Sequence, residues 1–385
     1  MKIIKNKIII FFMIIFPMIS FCGCWDYSEM DDFKHVAGIA IDKDKYKDEY
    51  ILTIEVLETF MDSKQLKSKI VQSRGKTIHT ALRDAIKKTG NMLRLSHAKV
   101  VIINRDIARE GIVHVIDLIN RDVEVRNDMW IVVATENLGS EILNKSKNEE
   151  QIISYDIEHS IKNYNKIGKY IGIETFKLID ILSYEGICPT LPMIKLGTKN
   201  GELGYEVYGT AIFKGEKMIG ELTEEETMIL QFFNGKDLEF VLLIQIDENE
   251  IISFEILKSK RKIKVNLKEN KISMDTYINI DVAISELATS SGVNYINKDE
   301  RNNLKNLAEE SIKNNCYLLI EKLEKQYKSD VIGFGRELKK KKPKEWKKIS
   351  SKWDEIFEFL EVNIFVNIDI KYSGLTDKNI EIKNK

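Results

Sequence analysis

Two cysteines one residue apart, Cys22 and Cys24 in the stretch FCGCWD, are the first residues in the chain whose type and spacing could do chemistry. A Cys-x-Cys pair can exchange disulfides, supply half of a metal site, or close an export signal. No cluster of His or further Cys lies near it in sequence, so a metal site would lack its other ligands. What precedes it decides the matter. Lys2, Lys5 and Lys7 form a basic start, Ile8 to Ile19 an apolar run broken only by Pro17, and Gly23 a small residue just before Cys24. That is the layout of a secretory signal, too short for a comfortable membrane span of about 20 residues. A small residue followed by an obligatory Cys is the ending of a lipoprotein signal, cut between Gly23 and Cys24 once the thiol carries diacylglycerol. Cys22 follows bulky Phe21 and fits that role poorly. Residues 1–23 are therefore expected to leave as a signal peptide. Cys24 is expected to be the lipid attachment point, on the outer face of a membrane.

Other candidate chemistry is thin. His35, His79, His97, His114 and His159 show no metal-ligand spacing, and no HExxH, CxxC, GxSxG, SxxK or phosphate loop occurs. Gly333-Phe-Gly335 lacks the third glycine of a dinucleotide fingerprint and reads as a turn. Glu224, Glu225 and Glu226 stand at a helix start, where the dipole favours acids. Cys188 and Cys316 are 128 residues apart and read equally as a disulfide or as two buried thiols. Lys339–Lys342, with Lys344, Trp346, Lys347, Lys348 and Trp353, is the basic-aromatic cluster of the chain. It reads either as a solvated loop entering an amphipathic helix, or as a contact with anionic headgroups or wall polymers. No catalytic or metal constellation emerges, and the chain reads as a non-enzyme with no cofactor beyond the acyl lipid on Cys24. Without residues 1–23 it holds 56 Lys and Arg against 60 Asp and Glu, which gives no global attraction to nucleic acid.

The elements that must position these residues follow from periodicity. VAGIAID, YILTIEVL, AKVVIIN and WIVVATE read as strands. TIHTALRDAIKK and IVHVIDLIN read as helices, the first ended by Gly90, and a helical stretch spans 138–163. The glycine-bearing passage LGTKNGELGYE marks an expected boundary, with an N-terminal mixed α/β region over 24–200 and a C-terminal domain over 201–385. Beyond it come a hairpin turning at Lys214-Gly215 and a helix with a Thr223/Glu226 capping box and Gly235 past its end. Several alternating strands follow, among them IISFEIL and KIKVNL. A long helix then runs from about Asp299 to Tyr327, with Leu304, Leu307, Ser311, Leu318 and Leu319 on its apolar side. A second helix near 344–360 precedes the closing strand EVNIFVNIDIKY. The fold class is α+β: a multi-domain mixed α/β chain whose second part is an antiparallel sheet backed by long helices.

These residues, in this order, resemble the Ger(x)C family, the C subunits of spore nutrient germinant receptors. The resemblance runs from the lipid signal and Trp25-Asp26 with Glu29, through VAGIAIDK, RLSHAKVVIINRDIAREGI, the NRDVEVRNDMWIVVA run and EIL. It continues through YGTAIFKGEKMIGELTEEET to Asp330-x-x-Gly-x-Gly335, Pro343, Trp346 and Trp353. It implies a lipoprotein on the outer face of the spore inner membrane, assembling with membrane-embedded A and B subunits in the signalling that triggers germination. It carries over no catalytic residue, and Cys24 takes the lipid. The competing expectation is an extracytoplasmic solute-binding or wall-associated lipoprotein, which requires a ligand pocket.

Overall fold

The computed structural model describes residues 4, 33–44, 46–59, 66–121, 125–136, 138–144, 151–199, 202–234, 238–245, 251–269, 271–288 and 298–372. The signal peptide apart from residue 4, with Gly23, Cys24, Trp25 and Gly235, lies outside the described residues.

The first sheet is built from β1 (Phe33–Asp44), β2 (Glu49–Thr59), β3 (Leu66–Gly75), β4 (Met92–Arg94), β5 (Val100–Asn104), β6 (Trp130–Ala134), β7 (Thr190–Lys199), β8 (Glu202–Lys214) and β9 (Lys217–Leu222). Its order is β3-β2-β1-β5-β6-β7-β8-β9, with β4 alongside the start of β1. β1, β5, β6 and β7 run parallel, so their first residues share one end of the sheet. Parallel strands need covering on both faces, which is why VVIIN and WIVVA are apolar without alternation. One face is covered by α1 (Ile78–Thr89), α2 (Arg105–Glu110) and α3 (Val113–Arg121). The other carries α4 (Gly139–Leu143), α5 (Ile153–Lys162) and the short α6 (Tyr164–Ile167). The helix α7 (Thr175–Ser183) adds Leu178 to the first of these cores. In α1, Thr77 caps the first turn and Gly90 closes the last with φ +72, as the periodicity and the glycine lead one to expect.

The passage 196–206 holds a tight ladder of β7 on β8 in which Gly197 faces Gly204. The sheet runs on to Leu222. Gly197 and Gly204 serve two strands in close approach. The capping box at Thr223 does form, with reciprocal bonds of 2.9 and 3.2 Å to Glu226, and opens α8 (Glu224–Asn234).

The second sheet has order β10-β11-β12-β13: β10 (Val241–Gln245), β11 (Ile251–Lys268), β12 (Lys271–Ala288) and β13 (Glu361–Tyr372). IISFEIL and KIKVNL are one continuous strand; a bulge between Ile256 and Lys258 absorbs the break in alternation. The sheet is antiparallel except at β13, which joins β12 in parallel. The difference follows from the connection. The chain returns through α9 (Lys298–Glu321), α10 (Phe334–Lys341), α11 (Pro343–Ile349) and α12 (Trp353–Phe357), a crossover rather than a hairpin. On α9 the buried side is Leu304, Ala308, Ile312, Cys316, Leu319 and Ile320, while Leu307 and Leu318 are exposed. Small Ala308 and Cys316 let the helix approach the sheet, and weighting the leucines alone rotates the apolar stripe. The same helix covers the outer edge of β13: the Ile364 N–H donates to Tyr317 Oη at 3.2 Å and the Ile368 N–H to Glu309 Oε1 at 2.8 Å. The second core includes Ile212 and Leu222 of the first sheet, so hydrophobic packing is continuous across the junction.

Candidate functional site

The motif Asp330-x-x-Gly-x-Gly335 sits at that junction. After α9 the helix widens into a π-turn over Lys322–Tyr327, and Lys328 leaves it in the left-handed region at φ +49. Ser329 then donates to the Phe213 carbonyl at 2.6 Å, which pins the turn to β8. Asp330, 3% exposed, points its carboxylate back at the start of α10. Oδ1 accepts from the Gly333 and Phe334 N–H groups at 2.7 and 3.0 Å. Oδ2 accepts from the Gly335 N–H at 2.7 Å and from Trp353 Nε1 at 3.1 Å. The Gly333-Phe-Gly335 turn is thus a helix start closed by a buried acid, with Gly333 at φ +82.

The loop entering β7 lies against it. The Cys188 N–H donates to the Asp330 carbonyl at 2.8 Å, and the Arg336 N–H to that of Gly186 at 2.7 Å. A Cβ on Gly335 would meet Gly186 Cα and Trp353 Nε1 at 2.7 Å, so the two backbones touch where only glycine fits. Glu185 accepts from Trp346 Nε1 at 2.8 Å and from Lys339 Nζ at 3.2 Å, and these bonds hold its carboxyl below the usual carboxylate range. Trp346 and Trp353 pack at 5.4 Å between ring centroids. The cluster therefore ties the first sheet to the helices of the second through the buried Asp330 carboxylate and, at the surface, through Glu185. It has the donors of a clasp and no nucleophile–base pair.

Burial pushes the Asp330 carboxyl up to about 6 against the pull of its four donors. It likewise pushes Glu324, on the π-turn, up to about 7. Oε1 of Glu324 is buried with no hydrogen-bond partner. An acid whose folded pKa is raised stabilises the fold below its unfolded value, and that contribution is lost as pH climbs to the folded value. For Glu324 the window is about 4.5 to 7. The melting temperature of Glu324→Gln, relative to wild type, is therefore expected to rise by a few degrees between pH 5 and 7.5. A pH-independent difference in paired thermal melts would show that Glu324 does not titrate in this window.

Two further buried acids cap helices across long sequence distances. Asp42 accepts from the Gly139 and Ser140 N–H groups at 2.8 and 2.9 Å, and Glu55 from those of Ile153 and Ser154 at 2.9 and 2.8 Å. Sequence reading missed both partnerships. Its available signal was an acid within an otherwise buried strand, Asp42 closing VAGIAID and Glu55 inside YILTIEVL.

Among the described residues no three His, Cys, Asp or Glu side chains converge as metal ligands. His35 and His97 pack edge-on at 4.5 Å. Glu226 pairs with Lys322 and Glu224 with Lys169, which ties two of the three acids of α8 to structural partners. Cys188 and Cys316 are free thiols, the latter fully buried and pushed up to about 12. Among the described residues no helix is long and apolar enough to cross a membrane. A cleft of about 760 Å³ opens between α1 and α3. Its floor includes Ile78, Leu82, Ile86 and Leu118, and Lys76, Arg83 and His114 stand at its mouth.

Comparison with known proteins accounts for both halves. Residues 26–196 match the family model described as spore germination protein N-terminal domain, and residues 208–374 that described as spore germination B3/GerAC-like, C-terminal. Spore germination protein B3 of Bacillus subtilis (strain 168) is 24% identical over 378 residues, covering 96% of this chain and 98% of its own. Spore germination protein A3 of the same organism is 25% identical over 364 residues, covering 93% and 95%. A solved structure described as the crystal structure of the GerBC protein superposes with a TM-score of 0.55 at 20% identity, over 87% of this chain and 97% of that one. At that identity the superposition speaks to the mixed α/β fold alone.

Proposed function

The chain belongs to the Ger(x)C family of spore germination receptor C subunits, and from that premise we propose that it is a lipid-anchored subunit needed for assembly and signalling of a nutrient germinant receptor. Cys24 carries the acyl lipid, the body lies on the outer face of the spore inner membrane, and the partners are membrane-embedded A and B subunits. The role is structural and non-enzymatic. The observation that carries this reading is the full-length family match, whose first residue, Asp26, lies two positions after Cys24. A polar clasp joining the two sheets suits a body that must stay rigid while contacting neighbours. The test is purification from spore membranes through a carboxyl-terminal tag. Co-purification of two polytopic proteins is expected, and recovery of none would sink the reading.

The cleft between α1 and α3 favours the competing reading, an extracytoplasmic solute-binding lipoprotein, because its size suits a small ligand. A thermal-shift series over amino acids, sugars and nucleosides separates the two. Strong stabilisation by one solute supports solute binding, and a flat response supports the assembly role.

A further inference from the structure

We propose that the lysine-rich surface of α10, α11 and the turn after them is a docking face for an anionic phospholipid bilayer. Between Arg336 and Lys352 the chain carries nine cations and two acids. Both acids are engaged: Glu337 with Lys341 at 3.2 Å, Glu345 with Lys348 at 2.9 Å. Lys340, Lys342, Lys344, Lys347 and Lys352 are exposed and have no ion-pair partner among the described residues. The rest of the mature chain is net acidic, so this concentration is local rather than a property of the whole.

The backbone under these lysines is fixed. Leu338, Trp346 and Trp353 are buried, Asp330 closes the start of α10, and Glu185 holds Trp346 from the loop entering β7. A fixed array loses less freedom on meeting a charged surface than a floppy run of the same composition.

Its place in the fold selects the bilayer. β1, β5, β6 and β7 are parallel, with Gly38 level with Val100, Val100 with Trp130, and Val133 with Met193. The chain enters β1 at Phe33 and β7 at Thr190 from the same end of the sheet. Glu185 and Gly186, which bind α10 and α11, directly precede β7 at that end. Three strand spacings, about 15 Å, separate β1 from β7. Only residues 25–32 lie between Cys24 and Phe33, a reach of roughly 30 Å at full extension. A chain tethered at Cys24 thus has its lysine face at its membrane-side end. This inference rests on the anchor reading for its orientation.

The experiment uses the mature chain from residue 24 with Cys24→Ser, so that no lipid is attached, and sedimentation with vesicles. Expected is binding to vesicles of phosphatidylglycerol mixed with phosphatidylcholine, none to phosphatidylcholine alone, and weakening as salt rises. Each lysine near an anionic surface contributes about five-fold, so Lys340→Gln, Lys344→Gln and Lys347→Gln together should weaken binding on the order of 100-fold. Among the described residues these side chains have no ion-pair partner to lose, and an unchanged melting curve verifies the fold. Equal binding to neutral vesicles, no binding to anionic ones, or undiminished binding by the triple variant overturns the proposal. Failure of the anchor reading is separately visible, as a missing acyl mass on Cys24 of the exported protein.

Discussion

Asp330→Asn is expected to lower the unfolding free energy by about 3–5 kcal/mol, although the two side chains are nearly the same size. The reason lies in the count of donors. Each carboxylate oxygen accepts two N–H groups: Gly333 and Phe334 on Oδ1, Gly335 and Trp353 Nε1 on Oδ2. An amide can turn its oxygen to one pair only, and its NH₂ then faces the other two donors in a site closed to water. Leaving buried donors without acceptors costs about 1–3 kcal/mol each. Because the Asp330 carbonyl and the Gly186 carbonyl bridge the same loop, the loss should also loosen residues 184–189 against α10. Trp353→Phe removes one donor and shrinks the buried indole to a phenyl ring, so its cost combines about 1 kcal/mol for the lost bond with a cavity contribution. Urea unfolding followed by tryptophan emission, to which Trp346 and Trp353 contribute from within the cluster, reads both variants. An Asn variant within about 1 kcal/mol of wild type would show that the carboxylate does not organise the junction.

How legible this was in the sequence depended on distance along the chain. Thr77 and Gly90 around α1, and Thr223 with Glu226 at α8, act on neighbours a few residues away, and local rules found them. The glycines at 333 and 335 were legible as a turn, but what they turn around was not: Gly335 is fixed by contact with Gly186, about 150 residues earlier. Asp42 and Glu55 meet their helices nearly 100 residues downstream, beyond any periodic pattern. Along α9 the hydrophobic period was present, yet its phase depended on Ala308 and Cys316 being small enough for close packing. The parallel addition of β13 follows from a four-helix crossover whose path no single strand encodes. The functional reading came instead from the order of motifs along the whole chain.

The two cysteines of the amino-terminal stretch should behave oppositely. Cys24→Ser is expected to abolish incorporation of labelled fatty acid and the germination response that depends on this chain. Cys22→Ser should leave both at wild-type level. The asymmetry follows from the cut. Gly23 before Cys24 is small enough for a peptidase pocket and Phe21 before Cys22 is not, so only Cys24 is expected to become the mature terminus. The size of the effect follows from chain number. At about 0.8 kcal/mol per buried CH₂, one acyl chain holds a protein only marginally, and two hold it firmly. Without them the body would meet the bilayer through lysines alone, an attraction that salt screens within about 10 Å at 0.1 M. Such contact alone is expected to be too weak to hold a subunit beside membrane-embedded partners. Acyl labelling that survives Cys24→Ser, or disappears with Cys22→Ser, would move the anchor off Cys24. The eight-residue tether that sets the orientation of the lysine face would then no longer apply.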